Sequence, residues 1–159
     1  ALGYVDPLPV NDLSPAKVRL MKYVSEWSLV KNMLGMCLFL PYNPNTTVDI
    51  IQAVTGWDTS AFDIMKAGER GMAMARAFNA REGFTVKDDY MPDRFFESFS
   101  DGPLEGVGHK RHVFRSALET YYGISGWDPD LAAPTRGKYQ ELGLDWVVED
   151  LERYDAVSG

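Results

Sequence analysis

The chain has 159 residues, 45% of them hydrophobic and 13% aromatic, which suits one domain with a sizeable core and is too apolar for a disordered segment. Its formal net charge of −7 disfavours phosphate backbones and anionic membrane surfaces, so composition argues against nucleic acid and membrane as partners. One cysteine excludes an intrachain disulfide; with no leader-like opening, the expected setting is a reducing cytoplasm.

Residues 1–13, with two X-Pro steps and no initiator Met, read as an extended segment at which a longer chain is entered, and 14–159 as one helical domain. Ser14-Pro15 is a helix start, because Ser caps free N–H groups and Pro suits the first helical position. Val18, Met21, Val24, Trp27, Val30 and Leu34 then recur at helical spacing, predicting a buried stripe that runs toward Gly35. The apolar run that follows, 33–41, is far shorter than the roughly 20 residues of a membrane span. PYNPN (41–45) is a loop, and the next helix is predicted from a Thr46 or Thr47 cap to a stop at Gly56. Thr59 or Ser60 opens another, with Phe62, Met65, Met72, Ala75 and Phe78 as the expected buried face and Gly83 as its end.

Residues 85–110 are rich in Pro, Gly and Asp without a sustained period, which predicts a long irregular segment over the surface. A helix resumes near Lys110 and is expected to stop at Gly123. Thr135 caps a short helix, and Asp145 starts another that ends near Tyr154. No stretch alternates as a strand would. The prediction is an all-α fold, one multi-helix domain of about six helices without repeats.

Few residues offer chemistry. Cys37, in NMLGMC, reads as inert core, a reactive thiol, or one ligand of a cluster completed from elsewhere. His109 and His112 have a spacing that can share a helix face, but no third ligand is near and Lys110 and Arg111 lie between them, so a solvated basic helix start is the better reading. The G-x-G at 106–108 lacks a preceding strand and a following Lys-Ser/Thr. Asp88 and Asp89, being neighbours, are expected to point apart and serve as a cap or an arginine's partner. Arg70, Arg76, Arg81 and Arg94 read as internal ion pairs and loop clamps.

The segment AVTGWDTSAFDIMKAGERGMAMARAFNAREGFTVKDDYMPDRFFE (53–97) closely resembles the C-terminal domain of the aldehyde ferredoxin oxidoreductase family of tungsten and molybdenum enzymes. ETYYGISGWD, PT and LGL follow in that family's order, so the resemblance covers nearly everything after Ser14. It places NMLGMC on the family's Asp-x-x-Gly-x-Cys motif. By that resemblance Cys37 is the fourth thiolate of a [4Fe-4S] cluster whose other three ligands lie upstream, and it remains buried beside apolar residues. Asn32, Gly35 and Met36 line the pterin, Met36 through its backbone. Asn32 stands where the family has Asp; it still accepts through its carbonyl, but loses a charge and adds donors.

The resemblance implies a parent enzyme that oxidises aldehydes to carboxylic acids at tungsten or molybdenum held by two pterins, with ferredoxin as electron acceptor. This chain would give one cluster ligand, a wall of the cofactor site and part of the substrate channel. It would need the upstream domains as partners, retaining no cofactor and showing no activity alone. Two alternatives are a same-family subunit acting on aromatic thioesters and a stand-alone helical interaction domain.

Overall fold

The computed structural model describes residues 7–157, so residues 1–6 of the expected extended segment lie outside the described part. Among the described residues there are six α-helices and one small sheet, in the order α1 (Pro15–Met33), α2 (Pro44–Thr55), α3 (Ala61–Arg81), α4 (Arg111–Ser125), β1 (Trp127–Asp128), β2 (Ala133–Pro134), α5 (Arg136–Glu141) and α6 (Asp145–Glu152). None of these helices is long and apolar enough to cross a membrane.

The helix starts follow local chemistry. Ser14 accepts from the Lys17 N–H with Pro15 at the first position of α1, and Thr135 does the same for α5 through Lys138. Ser60 and Asp63 form a reciprocal capping box on α3. The start of α2 is earlier than predicted, because Asn43 supplies the cap and Pro44 takes the first position. Thr47, fully buried, instead donates its hydroxyl to the Asn43 carbonyl at 3.0 Å. At the other end of α4 the prediction fails by one turn. Gly123 is exposed and stays helical, and the stop is Gly126 at φ +68°, where a residue without Cβ is favoured.

Both long helices turn unexpected faces inward. In α1 the buried line is Val18, Lys22, Glu26 and Val30, while Met21 and Val24 of the predicted stripe are 61% and 48% exposed and Leu34 is 45% exposed. In α3 it is Ile64, Gly68, Ala73, Ala77 and Ala80, while Phe62 and Phe78 are more than half exposed. The cause is closeness. Small residues along α3 let α1, β2 and α6 approach its backbone, and no large side chain fits there. The main core joins Ala73, Ala77 and Ala80 to Tyr139, Leu144, Val147, Val148 and Leu151; a smaller one joins Val30, Ile51 and Ile64. The antiparallel β1–β2 pair, with Trp127 opposite Pro134, was not predicted, since two-residue strands carry no alternation.

Charges inside this contact are paired. Glu69 of α3 receives Lys66 and Lys138 at 2.6 Å each and Lys22 of α1 at 3.4 Å. Burial alone would raise the Glu69 carboxyl, but hydrogen bonds from Lys138 and Lys66 and the charge of Lys22 hold it at about 2. Glu26 moves the other way, raised mainly by desolvation. For Glu69 a folded-state value below the ordinary 4.5 means stability that is present above pH 4.5 and lost as pH falls toward 2. That drop corresponds to roughly 3 kcal/mol as an upper figure. A Glu69→Gln chain is therefore expected to be less stable than the parent at pH 7. In urea unfolding the gap should close as pH falls from 4.5 toward 2; a gap constant over that window would show that Glu69 does not titrate with folding.

The irregular segment 85–110 is confirmed. It contains two short 3-10 turns, Asp93–Phe96 and Gly102–Leu104, and is tied down by rings: Tyr90, Phe96 and Phe114 meet in tilted and edge-to-face contacts with centroids 5.3 to 6.2 Å apart.

Candidate cofactor face at the end of helix 1

Helix α1 ends in a closed left-handed turn. Gly35 has φ +66°, its N–H donates to the Asn32 carbonyl at 3.1 Å, and the Met36 N–H donates to the Lys31 carbonyl at 2.9 Å. This crossed pair of bonds satisfies two of the helix's last carbonyls, and the positive φ makes glycine the favoured residue at 35. The turn is thus a rigid extension of α1 that carries Cys37 directly after it. Asn32 sits in the last turn of the helix, where a neutral amide is better placed than a carboxylate against the negative end of the helix dipole.

The predicted residues are brought together, with one correction. Cys37 is exposed, not buried. Around it Met33, Leu34, Leu38, Phe39 and Leu40 are exposed as well, Phe39 to 98%. Met36 is expected to serve through its backbone. Its N–H is already engaged with Lys31, so of its backbone polar groups only the carbonyl can serve a ligand. Asn32 and Gly35 are exposed on the same turn.

Among the described residues no group of three or more His, Cys, Asp or Glu could hold a metal ion. This donor set fits one corner of a cluster: a single accessible thiol on an apolar rim, with all other ligands supplied from outside. His112 falls in the first turn of α4 and His109 in the loop before it, so they do not share a helix face.

The other singled-out residues are structural. Asp88 accepts from the Thr85 N–H at 2.8 Å. Asp89 takes both terminal nitrogens of Arg76 and the Tyr122 hydroxyl, the last at 2.8 Å. Burial and that carboxylate push the Tyr122 hydroxyl well above the ordinary tyrosine value. Arg70 donates to the Leu142 and Gly143 carbonyls, Arg81 faces Asp150 at 3.6 Å, and Arg94 lies over the Phe95 ring. Each residue of the G-E-R run thus has a role. Gly68 admits α1, Glu69 gathers three ammonium groups, and Arg70 clamps the turn before α6. Sequence reasoning missed Tyr122 and the Lys22–Glu26 pair; the i,i+4 spacing of the latter was the available signal.

The family model described as aldehyde ferredoxin oxidoreductase, domains 2 and 3, matches residues 4–144. The chain belongs to the aldehyde ferredoxin oxidoreductase family. It is 33% identical over 149 residues to a tungsten-containing aldehyde ferredoxin oxidoreductase of Pyrococcus horikoshii and 34% identical over 148 residues to the enzyme of that name from Thermococcus kodakarensis. Those matches cover 91% and 90% of this chain, which spans only 24% of the length of either relative. The fold is also that of part of a solved benzoyl coenzyme A reductase, the BamBC active-site complex with 1,5-dienoyl-CoA. The TM-score is 0.73 at 21% identity, over 97% of this chain and 24% of that one.

Proposed function

We propose that this chain is the C-terminal, cofactor-enclosing domain of a bis-pterin tungsten or molybdenum oxidoreductase of the aldehyde ferredoxin oxidoreductase family, working in the cytoplasm. The parent enzyme converts an aldehyde and water to a carboxylic acid, releasing two electrons and two protons, with ferredoxin as acceptor. Tungsten is favoured by the names of the relatives. The observation that carries the reading is the exposed Cys37 held at the end of a rigid turn on an apolar rim.

When bound, the metal–pterin group supplies the two-electron oxidation and the [4Fe-4S] cluster carries electrons onward one at a time. The chain's own residues orient and enclose. Cys37 would give the cluster its fourth thiolate. Asn32 would offer its side-chain oxygen and Met36 its backbone carbonyl to pterin donors, and Gly35 lets the chain make the turn between them. The exposed apolar side chains around Cys37 exclude water from the cluster once the upstream domains close over them, and exclusion of water is one of the terms that set cluster potential. Because one thiol cannot hold a cluster, these 159 residues alone bind no stable cofactor and oxidise no aldehyde.

The test is the native protein that carries this chain, purified without oxygen. Metal analysis should find tungsten or molybdenum together with cluster iron, and ferredoxin should be reduced when aldehydes are added. An aromatic coenzyme A thioester run in parallel separates the reductase alternative. A native protein without iron and without either metal would overturn the proposal and leave the stand-alone helical domain.

A further inference from the structure

The end of α1 is seated on two glycines of α3, and they are not equivalent. A Cβ on Gly68 would stand 2.5 Å from the Glu26 carbonyl oxygen and 2.8 Å from Cγ2 of Val30. The first of these is backbone, so no change of rotamer relieves it. A Cβ on Gly71 would meet Sδ of Met33 at 2.6 Å and Cδ2 of Leu29 at 3.2 Å, both ends of side chains that can turn away. Gly68 is the hard stop and Gly71 the soft one.

What rests on that stop is a continuous rod. From Glu26 to Met33 the backbone is uninterrupted helix, about 10 Å at 1.5 Å per residue. The turn beyond it is fastened back by the Met36 N–H on Lys31. Beside Gly68, Glu69 reaches across to Lys22, one turn before Glu26, so α1 is fixed along its axis by charge and across it by the missing side chain. A displacement at Glu26 is therefore carried to Asn32 and Cys37. We infer that Gly68 is a positioning residue: it sets how far Cys37 and Asn32 project toward the metal group, without touching that group. This rests on the proposed function.

The experiment uses the full enzyme. Gly68→Ala is compared with Gly71→Ala, with Gly71→Ala combined with Met33→Ala, and with Gly123→Ala, whose added Cβ meets nothing within 4 Å. Cluster midpoint potential, electron paramagnetic resonance line shape, iron per chain and melting temperature are read for each. Gly68→Ala should shift the potential and alter the line shape while iron is retained. Gly71→Ala should give a smaller shift that Met33→Ala cancels, and Gly123→Ala should give none. If Gly68→Ala does not fold, the Gly71 and Met33 variants decide. Variants that melt lower but keep the parent's potential and line shape would reduce the glycines to packing and overturn the inference. A parent enzyme without a cluster would overturn the functional reading itself.

Discussion

Cys37→Ala in the full enzyme is expected to erase the cluster's resonance signal and to lower aldehyde-dependent ferredoxin reduction by about 100-fold or more, beyond the 10–100-fold typical of outer-shell partners. The same change should leave the domain itself almost untouched. Cys37 is exposed and its side chain fills no part of either hydrophobic cluster, so the stability change should stay within about 0.5 kcal/mol, or roughly 1–2 °C in melting temperature. Alanine is the better choice than serine, whose oxygen could still approach iron. The separation of the two effects is what discriminates. A core cysteine would cost stability and spare the cluster, whereas a ligand costs the cluster and spares the domain. A variant that keeps its iron and its activity would remove Cys37 from the site.

The parts of this structure legible in the sequence are those decided within a few residues. Ser14 with Pro15, Ser60, Thr135 and Gly56 each mark a helix end that the structure keeps, because a cap needs only its own turn. The buried faces were not legible for the opposite reason. Lys22 turns inward toward Glu69 of α3, 47 residues away in sequence, and Glu26 follows as the partner of Lys22 on its own helix. Nothing local announces Glu69. In α3, a pattern that ranks Phe and Met above Ala and Gly selects the wrong side wherever two backbones come close, and that is what Gly68 and Ala73 permit.

The candidate site divides the same way. Gly35, toward which the predicted stripe runs, ends the helix in a left-handed turn. The exposure of Cys37 was hidden, since an apolar run looks alike whether it enters its own core or faces another body. The occupied Met36 N–H was hidden too; it follows from the closure of the turn, which a residue-by-residue carry-over from a family cannot supply.

Asp89→Ala is expected to cost about 2–3 kcal/mol, measured by urea unfolding, less than the loss of one partner of a fully buried ion pair because Arg76 and Asp89 are only part-buried. The reason lies in what Asp89 leaves behind. The Arg76 side chain is 12% exposed and packed over the Trp127 ring, with its Nε on the Ala132 carbonyl, so its charge cannot swing out to water without breaking the junction of α3 with the β1–β2 pair. Tyr122, 2% exposed, loses its acceptor in the same stroke. Tyr122→Phe removes a single hydrogen bond to a charged group and should cost about 1.5–3 kcal/mol. Asp93→Ala breaks a pair with Arg111 whose side chains are 78% and 51% exposed, and should cost no more than about 1 kcal/mol. Replacing both part-buried partners, Arg76→Met with Asp89→Leu, leaves no orphan charge and should be more stable than Asp89→Ala alone. Equal losses for Asp89→Ala and Asp93→Ala would mean that water already reaches Arg76. The segment 85–110 would then be held by the packing of Tyr90 and Phe96 on Phe114 of α4 rather than by the Arg76–Asp89 pair to α3.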